Sequence, residues 1–235
     1  MFMDFGRIIL FPVILTQGLW VAARAQCMPE PEGPRTGTLG HGPELRVLIV
    51  GDSSAVGVGV RHQDEALAGQ TVRRLAQDFT VHWRVIAKTG ATAGDTVKRL
   101  QSTTATPYDV AITALGVNDA KNGVSASAWQ KNYTEVLRLL STRFEVKHIT
   151  ACGLPPVHDF PLLPHPLKGI LSRRTQLFDR LLQNIVHHHL HAQFLPLPKS
   201  LDPAHMAEDG FHAGPLIYDE WGNHTAASIN QHFAH

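Results

Sequence analysis

The chain has 235 residues, 43% of them hydrophobic and 17% charged, and a formal net charge of +1. That length supports one full domain with a sizeable core, and the composition excludes both a disordered chain and a polytopic membrane protein. So small a net charge leaves no basic footprint for nucleic acid.

Ile8 to Ala23 is mostly apolar between Arg7 and Arg24, interrupted by Pro12 and Gln17, and shorter than the roughly 20 residues a spanning helix needs. Residues 1–25 therefore read as a secretory signal peptide cut after Ala23-Arg24-Ala25, or as an uncleaved interfacial anchor. A buried helix without a targeting role is the third reading. The first two place the protein outside the cytoplasm or at a membrane, with any membrane association running through residues 8–23. Residues 26–44 are rich in proline and glycine and read as a linker, which leaves 45–235 as the folded domain.

Val47-Leu48-Ile49-Val50 reads as a short buried strand running into the turn Gly51-Asp52-Ser53. Asp64 is placed to cap the next helix, whose face carries Leu67, Val72, Leu75 and Ala76. Thr80 to Ala87 is a second strand, ending in a glycine-containing turn through Gly90 and Gly94, and Asp95-Thr96 open a short helix through Leu100. Asp109 to Leu115 is a third strand, running into Gly116-Val117-Asn118-Asp119. Ser127 and Gln130 resemble a capping box before a helix with Trp129, Tyr133, Val136, Leu137 and Leu140 on one face. Val146 to Cys152 is a fourth strand, followed by a proline-rich loop over Leu154–Pro166. That loop is either plain surface or an apolar wall for an acyl or aryl group. A helix through Leu177–Ile185, a short fifth strand over Ala192–Leu197 and a closing helix from Pro215, with Trp221 in its core face, complete the chain. Strands alternating with helices predict an α/β fold: a five-stranded parallel sheet between two helical layers.

Ser53, Gly94 and Asn118 follow three of these strands, and a late loop carries Asp209-Gly210-Phe211-His212. These residue types suit acyl transfer. A serine hydroxyl needs a base to take its proton, and His212 supplies one. Asp209, three residues before it, can hold Nδ1–H and leave Nε2 free for Ser53. The backbone N–H groups of Ser53 and Gly94 and the side-chain amide of Asn118 would receive the developing oxyanion. Asp52 and Asp119 are expected to hydrogen-bond turn N–H groups. Activity is expected to rise with pH as His212 deprotonates.

In these four blocks the chain resembles the SGNH hydrolases, also called the GDSL esterase/lipase family. The blocks are Gly51-Asp52-Ser53 with Gly57, Gly94 in Ala93-Gly94-Asp95-Thr96, Gly116-Val117-Asn118-Asp119, and Asp209-Gly210-Phe211-His212. The resemblance implies a three-layer α/β/α sandwich with flavodoxin-like strand order, with Ser53, Gly94, Asn118 and His212 as the residues that name the family. It implies a serine ester hydrolase acting on a lipid, aryl or carbohydrate ester. An acyltransferase on cell-envelope sugars and a non-catalytic binding module are the alternatives on the same fold. Ser54 stands where the family often has leucine. The second block lacks the asparagine frequent there, which leaves Gly90 as a rival to Gly94. Neither cofactor nor metal is expected. Cys27 and Cys152 lack metal-ligand spacing, and of the nearby histidines His187, His188, His189 and His191, adjacent ones point in different directions while His187 and His191 would share a helix face.

Overall fold

Val47, Leu48, Ile49 and Val50 are all at 0% exposure in the computed structural model, which describes residues 5–25 and 28–233. A strand apolar on both sides needs cover on both faces, and the sheet is built accordingly. Its strands are β1 (Thr36–Leu39), β2 (Glu44–Gly51), β3 (Thr80–Ala87), β4 (Val110–Ala114), β5 (His148–Cys152) and β6 (Ala192–Leu195). They lie in the order β1-β3-β2-β4-β5-β6, parallel except where β1 pairs antiparallel with β3. Setting β1 aside, the remaining five follow the doubly wound order expected, and that order reverses between β2 and β4.

The helices are α1 (Phe5–Ala25), α2 (Ser53–Val56), α3 (Leu67–Leu75), α4 (Ala93–Ser102), α5 (Val117–Lys121), α6 (Ala126–Arg143), α7 (Leu167–His187) and α8 (Pro215–Phe233). Alternation along β2 sends Leu48 and Val50 to one face, where they join Trp129, Tyr133 and Phe178 of α6 and α7. Val47 and Ile49 point the other way, into a core shared with Leu67 and Val72 of α3 and Tyr218 and Ile229 of α8. Each such aliphatic side chain contributes about 1.5–3 kcal/mol by leaving water.

The sheet has six strands rather than five because order begins before Leu45. Thr36 to Leu39 pair with Arg84 to Val81 of β3, Val85 N–H donates to Arg35 O at 2.8 Å, and Glu32 bridges to His62. The proline- and glycine-rich composition that reads as a linker is what this strap requires. At Gly37 a Cβ would lie 2.4 Å from the Trp83 ring, so a larger residue would lift β1 off its neighbour. The side chains of β1 are exposed or half-buried, so backbone pairing holds it and no hydrophobic alternation announces it.

Three local expectations also change. Ser125, not Ser127, caps α6, accepting from Ala128 N–H at 3.2 Å. Asp64 sits inside a 3-10 turn capped by His62, and α3 starts from Ala66 without a side-chain cap. The helix α7 ends at His187, so His191 lies beyond it and shares no helical face with His187. No cluster of metal-ligating side chains forms among the described residues. Gln26 and Cys27, next to the expected cleavage point, lie outside the described residues.

α1 rests on the main body through Val21, which is 1% exposed and packs with Phe160, Leu163 and Leu167. Gln17 Nε2 donates to His165 O at 2.8 Å, and its Oε1 accepts from Leu167 N–H at 3.3 Å. Its other side leaves Val13, Leu15, Leu19 and Trp20 exposed, with the Arg24 guanidinium 5.0 Å from the Trp20 ring. Among the described residues no helix is long and apolar enough to cross a membrane.

Candidate active site

The reversal of strand order between β2 and β4 opens a crevice at their carboxyl ends, and two short helices start there. The ends of β2 and β4 touch: Asp52 N–H donates to Ala114 O at 3.1 Å, and a Cβ on Gly51 would lie 2.2 Å from that same carbonyl oxygen. Asp52 then caps α2, its Oδ1 accepting from Ser54 N–H at 3.0 Å, which sets Ser53 as the first helical residue. After β4, Gly116 adopts φ +128°, a backbone state that favours glycine. That turn starts α5, whose Asn118 lines the same cleft as Ser53.

Asn118 Nδ2 donates to Asp52 Oδ2 at 3.2 Å. A primary amide carries two N–H donors, so this bond fixes the side chain and leaves the second donor for a ligand. Asp119, fully buried, accepts from Ala93 N–H with both oxygens, at 3.0 and 3.2 Å. Burial dominates both acids. It pushes Asp52 up to about 6 against its backbone and Asn118 donors, and Asp119 to about 7, aided by the nearby Asp52 charge.

His212 comes from the loop before α8. Its Nδ1 lies 2.6 Å from Asp209 Oδ2, a charge-assisted length when the ring is protonated. Asp209 Oδ1 accepts from the backbone N–H groups of Phe211 and His212 at 2.9 and 3.0 Å. Burial pushes this carboxyl up, but the imidazole and these N–H donors outweigh it and hold Asp209 below its ordinary range. Among the described residues neither Ser53 Oγ nor His212 Nε2 is engaged by another side chain.

Ser53, Asn118 and His212 line one cleft of about 750 Å³ counting its mouth, the inner part being a slot. Asp209 lies behind His212. Gly94 does not line the cleft. It is the second residue of α4, one past the Ala93 N–H held by Asp119, and its own N–H is in the first helical turn, where no intrahelical partner exists. The rival Gly90 sits in an open turn with nothing within 4 Å of a Cβ.

Apart from the proline-rich loop, the cleft walls hold residues that the sequence did not single out for the site. The proline-rich loop supplies Pro155, Pro156 and Phe160, and so is a wall. The stretch after β6 supplies Leu197, Leu201 and Met206, and α8 supplies Ile217, Glu220, Trp221 and His224. The α8 residues fall at helical spacing on one face, the one signal that could have found them. Trp221 serves two environments, donating Nε1–H to Cys152 Sγ at 3.3 Å while its ring borders the cleft.

The fold has counterparts among solved structures. TesA matches with a TM-score of 0.64 and 17% identity, over 79% of this chain and 98% of that one. The psychrotrophic esterase EstA from Pseudoalteromonas sp., solved with monoethylphosphonate as inhibitor, matches at 0.60 and 17% identity, over 81% and 99%. A carbohydrate acetylesterase family member from Sinorhizobium meliloti matches at 0.61 and 17%, over 80% and 98%. No curated protein sequence matches the chain. The sequence profile of the GDSL-like lipase/acylhydrolase family matches residues 49–220, a span that starts within β2 and takes in Ser53, Asn118 and His212. The chain belongs to the GDSL-like lipase/acylhydrolase family.

Proposed function

We propose that the protein is a serine hydrolase of carboxylic esters, working through an acyl-enzyme on Ser53. The observation that carries this reading is the 2.6 Å pairing of His212 Nδ1 with Asp209 in a cleft that Ser53 and Asn118 also line. His212 Nε2 takes the hydroxyl proton as Ser53 Oγ bonds to the ester carbonyl carbon. The proton then passes to the alcohol oxygen as the C–O bond breaks. Water, deprotonated by the same nitrogen, attacks the acyl-enzyme, and Oγ leaves with the proton, releasing the acid. Asp209, held ionised by its N–H donors, stabilises the imidazolium in both halves.

The oxyanion is received by Ser53 N–H and the free amide N–H of Asn118; Gly94, outside the cleft lining, is the third donor that the family resemblance implies. Asp52 and Asp119 act as positioning residues. The first fixes the Asn118 amide and the second fixes the backbone next to Gly94. None of these steps uses a cofactor. α1, with its exposed apolar side and with Arg7 and Arg24 near its ends, suits export or attachment at a lipid surface.

The test is covalent capture. A fluorophosphonate probe should add its mass to the Ser53 peptide, and Ser53→Ala should abolish both labelling and ester hydrolysis. Labelling at another serine, or full turnover in Ser53→Ala, overturns the reading.

A further inference from the structure

The cleft walls distinguish among the ester classes, an inference that rests on the catalytic reading of Ser53. Away from the Ser53 end the slot is faced by Pro156, Phe160, Leu197, Leu201, Ile217 and Trp221. Among the described residues no lysine or arginine lines it, so a phosphate or other polyanionic group would enter without a counter-charge. A sugar would strand its hydroxyls against carbon, because each buried polar group needs a partner. The polar side chains at the far end are Glu220 and His224, both exposed at the rim.

The face of α8 sets a length. Its lining residues run from Ile217 to His224, two turns of helix and roughly 10 Å at 1.5 Å per residue, about the span of an extended eight-carbon chain. We propose that this cleft binds the straight acyl chain of a neutral medium-chain ester, about eight carbons long, laid along α8 between Trp221 and the Leu197–Leu201 wall. The exposed His224 ends the apolar track. A longer chain must run past a polar ring or turn out into water, so gain stops there.

The experiment is a series of p-nitrophenyl esters from acetate to laurate on the full chain, with acetylated xylan as the carbohydrate arm. The expected result is a kcat/KM that climbs from acetate to octanoate by at least tenfold in total, with each buried methylene giving at most about fourfold. It should level or fall at laurate, and xylan should release no acetate. Leu197→Trp should lower the octanoate-to-acetate ratio. An acetate optimum with Ser53-dependent turnover overturns the acyl-chain assignment and leaves the catalytic reading standing, as does deacetylation of xylan. Calorimetry on Ser53→Ala reads the same claim without turnover: octanoic acid should bind and cellobiose should not. If no ester is hydrolysed, the catalytic reading falls, and the calorimetric result alone decides whether the cleft holds an acyl chain.

Discussion

Two sets of carboxylates surround the cleft, and although burial pushes both up they end on opposite sides of the ordinary value. Asp52 and Asp119, at the strand ends, are pushed up to about 6 and about 7. Asp209, in the late loop and with a side chain 7% exposed, is held below its ordinary range. The difference lies in the partners. Asp209 bonds directly to two backbone N–H groups and an imidazole that can carry positive charge, whereas Asp52 feels that imidazole and Lys121 without bonding to either, and Asp119 has the Asp52 charge beside it. Loss of water alone does not fix a buried acid's charge; what replaces the water does. The contrast divides the labour: the loop acid serves a charge that comes and goes, and the strand-end acids hold neutral donors still.

The sharpest break in this comparison is His212→Ala, which removes the group the loop acid serves. It should cost on the order of 10⁶-fold in kcat, with KM little changed, measured on p-nitrophenyl butyrate. Asp209→Asn should follow at about 10⁴-fold, because an amide can stabilise the wrong ring tautomer and cannot offset an imidazolium. A loss below tenfold would show that Asp209 only shapes its loop. On the strand-end side, Asn118→Ala should cost about 100- to 1000-fold in kcat by deleting one oxyanion donor.

The smallest effect on rate is expected at Asp119→Asn, about tenfold in kcat, since the donors remain and only their support is altered. Its signature is in stability. Asp119 rises from the ordinary carboxylate value of 3.8 to about 7 when folded, so the native state keeps a proton that the unfolded chain has released. Its contribution to stability is fully present below about pH 4 and is lost as pH rises through about 7. Melting temperature should therefore fall between pH 5 and pH 8 in the parent protein and fall less in Asp119→Asn. Equal slopes in the two proteins would place the acid outside this titration.

The sequence reported the strand ends well and the walls poorly. The apolar runs of β2 and β4 lead into the glycine turns at Gly51 and Gly116, so Ser53 and Asn118 could be placed on strand ends from local pattern. Asp209 and His212 are close in sequence, and their contact is a local turn. The cleft walls come from three segments that meet only in space, and no local pattern in Leu197–Met206 marks it as facing Ser53. Trp221 reads as core because its face is core as well. The caps slipped by a few residues, from Ser127 to Ser125 and from Asp64 to His62, because several polar residues in each turn can serve and tertiary packing selects one.

The strap at Thr36–Leu39 decides how the protein can be cut. β3 has β2 on one side and β1 on the other, and nothing else among the described residues pairs with that second side. A fragment started at Leu45 would leave a row of unsatisfied amides and carbonyls beside Val81 and Val85, open to the same row on another molecule. Such a fragment is expected to self-associate, while one begun at Met28 keeps its own edge covered and stays dispersed.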